Sequence, residues 1–483
     1  PYLLPLNGSP KNLFENRTIV SFYQINKKRL CDPAICKKPK KCKYALFSGY
    51  LVPDRRGVLL FAGKDIIVHK PQEERDARRL LMSIMSTRIT PKEEIHARIQ
   101  TLQKELARAS MDMAIIAQNA DLFYFSGTIQ RGYLLVAQEG EPVFAATGDI
   151  GRIRQEAGID KVECIYGLKD IPNLCIKLLS VPEHAITIGL EYDVLPVSLF
   201  KRFESIFPSA HFKDISSSIR KIRMVKSPYE VEKIRESASI FSDAMASLPK
   251  ILKEGMTEVD LESEIIRIGR RRSHFGTLRS RGFNQETYYG HVISGPRGAI
   301  PSFLNSPTGG LGSSPAFGHG AGHWPIERNT PILIDLCFGV DGYLADQTRT
   351  AVLGRLPSDL ERAYDRLLLL KRELEASLRP GAISEDIYHH ALEKADALGI
   401  GEYFMGVGTR RAKFVGHGIG LEIDEWPVIG KGSQIILVPG MVIALEPKLI
   451  FPGIGAIGIE DNYVITETGF EKLTPLNESI IMV

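Results

Sequence analysis

Five ionisable residues in apolar surroundings constrain this chain more than anything else in it. Asp335, Asp346, His417, Glu446 and Glu460 each stand in a short apolar segment that reads as a β-strand or its edge. A carboxylate in such a place is costly unless a cation accompanies it. No basic residue follows the same periodicity in those strands. Four carboxylates carry four negative charges, and two bound divalent cations would balance them. The expectation is therefore a two-metal hydrolytic centre.

Composition narrows the class. A chain of 483 residues is too long for one core, so two or three domains are expected. Its 44% hydrophobic and 24% charged residues are ordinary for a water-soluble globular protein. A formal net charge of +4 argues for neither nucleic acid nor an anionic membrane as partner. The longest apolar runs, Val58–Ala62 and Met441–Leu445, fall far short of the roughly 18 residues of a membrane span. No leader pattern is visible, so the expected address is cytoplasmic. Of the six cysteines, Cys31, Cys36 and Cys42 cluster in a lysine-rich tract without a fourth ligand at a familiar spacing. They read as incidental thiols rather than a metal site.

Punctuation and periodicity divide the chain into an accessory segment (1–89), an α/β domain (90–220) and a larger domain (221–483). Thr90-Pro91-Lys92-Glu93 has the form of a capping box, followed by helical spacing of Ile95, Ile99, Leu102 and Leu106. Met113–Ile116, Leu122–Phe125, Tyr133–Val136, Val143–Ala145 and Ile186–Gly189 read as strands. Ser227-Pro228-Tyr229-Glu230 repeats the capping signature and opens the larger domain. That domain carries a faint internal echo. Gly255-Met-Thr-Glu-Val-Asp260 resembles Gly381-Ala-Ile-Ser-Glu-Asp386, and each should open a helix. Each half then offers a hairpin with two carboxylates, Asp335 and Asp346 around Asp341-Gly342, and Glu446 and Glu460 around Pro452-Gly453-Ile454-Gly455.

The segments Ile334-Asp335-Leu336, Gly342-Tyr343-Leu344-Ala345-Asp346-Gln347-Thr348-Arg349-Thr350, Gly416-His417-Gly418-Ile419-Gly420-Leu421, Leu445-Glu446-Pro447 and Ile459-Glu460-Asp461 follow in this order. With Asp121–Gly127 and Ser227-Pro228, they make residues 90–483 resemble the creatinase/prolidase/aminopeptidase P family of metallopeptidases. The resemblance implies an α+β fold: a pita-bread catalytic domain preceded by a smaller α/β creatinase-type domain. It implies that Asp335 holds one metal, Asp346 and Glu460 bridge two, and His417 and Glu446 hold the other, with Glu446 also a general base. It further implies a homodimer. A bridging pair can acidify water to hydroxide. The oxygen-rich donor set suits Mn²⁺, Fe²⁺, Co²⁺ or Zn²⁺ alike.

The chain also departs from the family pattern. Asp424 stands where peptidase members usually have a second His, and Ser302 near the place of another. Gly458 replaces an Arg, and Lys448 replaces a Gly. Substitute donors are sought in His291 first, then in His319 and His323; Asp424 is the candidate carboxylate base. Arg349 reads as support for the metal carboxylates, and Arg270-Arg271-Arg272 as a solvated helix end. The expected function is cleavage of Xaa-Pro bonds in short peptides. The alternative is hydrolysis or lysis of a small non-peptide substrate on the same metals, as in creatinase, ectoine hydrolase or dimethylsulfoniopropionate lyase. A non-enzymatic binding protein is the third reading.

Overall fold

A computed structural model describes residues 88–179, 186–286 and 289–483. The cysteine cluster at 31–42 and the apolar runs before residue 70 lie outside them. Among the described residues the first sheet is built from β1 (Met113–Ile116), β2 (Gly132–Ala137), β3 (Val143–Ala146), β4 (Lys161–Cys164), β5 (Thr187–Leu190) and β6 (His211–Asp214). Its order is β4-β3-β2-β1-β5-β6. β1 pairs antiparallel with β2 and parallel with β5. The central strands are buried on both faces, which accounts for their unbroken apolar runs.

Two local expectations fail here. Leu122–Phe125 belongs to a helix, Asn119–Ser126, rather than a strand. The Gln118 side chain accepts from Asp121 N, and Gly127 closes the helix at φ 82°, so end chemistry decides an apolar run too short to show its own period. The helix Lys92–Arg108 forms as expected, but Thr90 is not its cap: Pro91 holds the cap position without a side-chain bond. The Ser227 box does form. Its hydroxyl accepts from Glu230 N, and the Glu230 carboxylate accepts from Ser227 N in return. That cap is worth about 1 kcal/mol and opens the helix Pro228–Ala246.

The later strands are β7 (Gly290–Ser294), β8 (Ile332–Val340), β9 (Tyr343–Val352), β10 (Phe414–Gly418), β11 (Glu425–Gly430), β12 (Val442–Leu445), β13 (Lys448–Phe451), β14 (Gly455–Gly458), β15 (Asp461–Ile465), β16 (Phe470–Lys472) and β17 (Ile481–Met482). They form a four-stranded sheet β17-β9-β8-β7, a five-stranded sheet β11-β10-β12-β15-β16 and the hairpin β13-β14. Asp341 (φ 52°) and Gly342 (φ 95°) make the two-residue turn between β8 and β9. Both left-handed conformations match the twist of the flanking strands. Helices Pro228–Ala246 and Glu258–Arg271 cover the four-stranded sheet, with Ile240, Phe241, Leu261 and Ile265 packed on Ile334, Leu336 and Phe338. Helices Ser358–Ser377 and Ser384–Ala397 cover the five-stranded one. Both echo segments do open helices, at Glu258 and at Ser384. Arg270, Arg271 and Arg272 end theirs exposed to solvent. No described helix is long and apolar enough to cross a membrane.

The six-stranded unit meets the later sheets through buried charge. Arg223 Nη1 lies 2.6 Å from Asp121 Oδ1 and 2.9 Å from Glu422 Oε2, and its Nη2 lies 2.5 Å from Glu425 Oε1. Lys226 Nζ is 3.0 Å from Glu425 Oε2. Burial opposes ionisation of Glu425, but Arg223 and Lys226 outweigh it and hold its pKa at about 2. A carboxylate with a depressed folded pKa contributes stability that is present above its ordinary value of 4.5 and lost as pH falls through about 2. Acid denaturation should show this. The Glu425→Gln variant is expected to lose about 3 kcal/mol less than wild type between pH 4.5 and pH 2. Parallel acid limbs in the two proteins would contradict the assignment.

Candidate metal centre

Strand periodicity assembles the site. On the β8–β9 hairpin, Asp335 faces Thr348 in register, and Asp346 stands two residues before Thr348 on the same face. On the five-stranded sheet, His417 faces Ala444, and Ala444 faces Asn462. Glu446 follows Ala444 by two residues and Glu460 precedes Asn462 by two, which puts both carboxylates on the face of His417. Among the bonds that join the sheets, Glu460 N donates to Thr348 O at 3.0 Å, and Thr348 Oγ1 donates to Glu460 Oε2 at 2.8 Å.

Ligand atoms of Asp346, His417 and Glu460 lie within 4.8 Å of one another, all three residues buried. His417 Nδ1 is 3.0 Å from Gly418 O. Donation there places the other lone pair, on Nε2, toward the carboxylates, the tautomer that a metal ligand needs. Nε2 is 3.4 Å from Glu446 Oε1 and 3.9 Å from Glu460 Oε1. Glu460 Oε1 is buried without a hydrogen-bond partner. Burial, with the charges of Glu460 and Asp335, pushes the Asp346 carboxyl well above its usual range. Burial pushes Glu460 up to about 8; Lys448 opposes this, and Glu446 and Asp335 add to it. An orphaned oxygen and two repelled carboxylates beside an available imidazole fit a divalent cation.

The other side of the cluster differs from expectation. A basic residue does share these strands. Lys448, at the start of β13, is 1% exposed. Its Nζ lies 2.5 Å from Glu446 Oε2, 3.1 Å from Asp335 Oδ2 and 3.5 Å from Glu460 Oε2. The three carboxylates hold the ammonium well above its ordinary pKa in spite of burial. Burial alone would raise Asp335, but Lys448 and His291 hold it below the usual carboxylate range. The signal was in the sequence: residues 446 and 448 are two apart in extended chain and so share a face.

His291 and Asp335 are direct partners across β7 and β8. Gly290 makes that pairing close, because at φ +115° a Cβ there would meet Asp335 O at 2.2 Å. His291 Nε2 is 3.3 Å from Asp335 Oδ2, and its Nδ1 is 3.4 Å from His319 Nε2. His319 Nδ1 is in turn 2.9 Å from Ser302 Oγ. Burial, aided by His291, holds His319 down at about 3, so it is neutral near pH 7. The sequence did not link Ser302 to His319. His323 is exposed and lies by Asp260, away from the cluster. Asp424 is at the rim, its side chain 67% exposed and its Oδ1 3.8 Å from His417 Nδ1. Arg349 is fully buried; it donates to Glu460 O at 2.9 Å and to Asp461 Oδ1 at 2.7 Å, and so holds the segment that carries Glu460.

Comparison with known proteins defines the class of this molecule as a hydrolase of the metallopeptidase type. Residues 232–467 match the model of metallopeptidase family M24, and residues 98–225 match that of the creatinase/prolidase N-terminal domain. The Xaa-Pro dipeptidase of Pyrococcus furiosus is 27% identical over 389 residues, covering 80% of this chain and 99% of the relative. The X-Pro aminopeptidase structure from Thermotoga maritima superposes with a TM-score of 0.66 at 26% identity, covering 78% of this chain and all of that one. The prolidase structure from Pyrococcus furiosus gives 0.64 at 25% identity, covering 78% and 99%. The chain belongs to the creatinase/prolidase/aminopeptidase P family of M24 metallopeptidases.

Proposed function

We propose that this chain is a metal-dependent peptidase acting on Xaa-Pro bonds of short peptides, with a divalent cation held by Asp346, His417 and Glu460. The observation that carries the reading is the buried triad with its unpartnered Glu460 Oε1. The names of the relatives, Xaa-Pro dipeptidase and X-Pro aminopeptidase, support the substrate class. Such a cation supplies Lewis acidity toward a carbonyl and acidifies solvent. Glu446, beside His417 Nε2, takes the proton of the attacking water. Lys448 holds Asp335 and Glu446 in place. His291, backed by His319 and Ser302, orients Asp335 and stands as a further donor. The division at residues 89 and 220, a cytoplasmic address and a homodimer belong to the same proposal.

The test is the purified full chain with Mn²⁺ or Co²⁺ and a panel of Xaa-Pro dipeptides and longer peptides. Turnover of at least one Xaa-Pro substrate is expected, and silence across the panel rejects the assignment. One observation favours a second reading, a small non-peptide substrate. The carboxylate of Asp424, at the rim beside His417, is placed to abstract a proton. Activity only on small amidines or α-acidic compounds, abolished by Asp424→Asn, would select it.

A further inference from the structure

The sequence assigns four carboxylates to two divalent cations, but the folded cluster already contains a cation of its own. Lys448 Nζ lies within 3.5 Å of three of the four carboxylates, Asp335, Glu446 and Glu460. Its stem is built in. β13 and β14 pair Lys448 with Gly458, and a Cβ at 458 would come within 2.7 Å of Lys448 Cγ. Only a residue without a side chain at 458 lets the lysine stem cross to the carboxylates. The compensation is also divided. Asp335 and Glu446 have the ammonium as their closest basic partner, whereas Glu460 Oε1, on the side of Asp346 and His417, is buried without a hydrogen-bond partner. An ammonium and a dication centred among the same carboxylates repel unless they are kept on separate sides, and the two sides are distinct here.

We propose that the Lys448 ammonium takes the place of one cation at this centre, so that the chain binds a single divalent ion, at Asp346, His417 and Glu460. This rests on the metal-dependent reading above and narrows it: the centre is a hybrid of one metal and one fixed organic cation. Asp335, held by Lys448 and His291, becomes a structural anion rather than a metal ligand. A fixed ammonium also differs from a metal in chemistry. It donates hydrogen bonds and attracts charge but cannot accept a ligand's lone pair.

The experiment is metal stoichiometry on the full chain. Protein is dialysed to equilibrium against Mn²⁺ alone, and bound metal is measured by mass spectrometry, for wild type and for the variants Lys448→Ala and Lys448→Ser. One ion per chain is expected in wild type and two in either variant, with a larger Mn²⁺-dependent rise in melting temperature in the variants. Two ions in wild type would overturn the inference and leave the metallopeptidase reading standing. One ion in wild type and still one in a folded variant would overturn it as well, because Lys448 would not be what limits occupancy. No metal in any of the proteins would remove the metal reading and this inference together. If neither variant folds, Lys448→Met, which keeps most of the stem's volume, is read by the same criteria.

Discussion

Replacement of Arg223 by alanine is expected to destabilise the chain by about 3–5 kcal/mol, the largest single-residue effect outside the metal centre. The Arg223 side chain is 3% exposed, and its guanidinium meets Asp121 from the first unit and Glu422 and Glu425 from the second. Arg281 Nη1, 2.7 Å from Asp121 Oδ2, and Lys226 remain after the change, which leaves two cations facing three buried acids. The cost arises from leaving those acids under-compensated rather than from the worth of the pairs themselves. Lysine is no substitute, since a point charge lacks the planar fork whose Nη1 meets Asp121 and Glu422 while Nη2 meets Glu425. Denaturant unfolding checks this, and a change within about 0.5 kcal/mol, the range of an ordinary surface substitution, would show that the network is not needed.

The second large effect belongs to Glu460→Gln. The substitution keeps the shape of the side chain and removes one of the charges facing a cation. Changing residues that merely orient metal ligands commonly costs 10–100-fold in affinity, so a ligand itself should cost more than about 100-fold. Peptidase turnover should fall with it. Stability without metal should not. Glu460 is a buried carboxyl pushed up to about 8, so it is largely neutral near pH 7 without metal, and the amide keeps an oxygen to accept from Thr348 Oγ1. Mn²⁺ titration with a parallel melting curve separates the two. Unchanged Mn²⁺ affinity in a folded Gln variant would place the cation elsewhere.

Much of this site could be read from the chain because strand periodicity and charge are local properties. Asp335 and Asp346 flank an Asp-Gly turn that allows one hairpin geometry, and their face follows from counting by two. The same counting puts Glu446 and Glu460 on the face of His417. The short helix at Asn119–Ser126 escapes such counting for the opposite reason, because four apolar residues carry no period and only the end groups decide. The caps show the same limit. Ser227 and Thr90 head similar tetrapeptides, yet only Ser227 bonds across its turn.

The route of the Lys448 stem and the His291–His319–Ser302 chain lie beyond that reach. Lys448 was visible as a departure from its relatives, but whether its ammonium pointed at the carboxylates depended on the empty side of Gly458 across the hairpin. His319 meets His291 only because the glycine-rich loop folds back over β7. By itself, then, the sequence determined which groups need a cation and on which faces they stand, since alternation along a strand and the cost of burying charge are written in residue order. The tertiary structure alone decided which cation answers them. That choice turns on where one ammonium comes to rest: Lys448 Nζ lies 3.1 Å from Asp335, a residue remote in the chain, as well as 2.5 Å from Glu446 and 3.5 Å from Glu460.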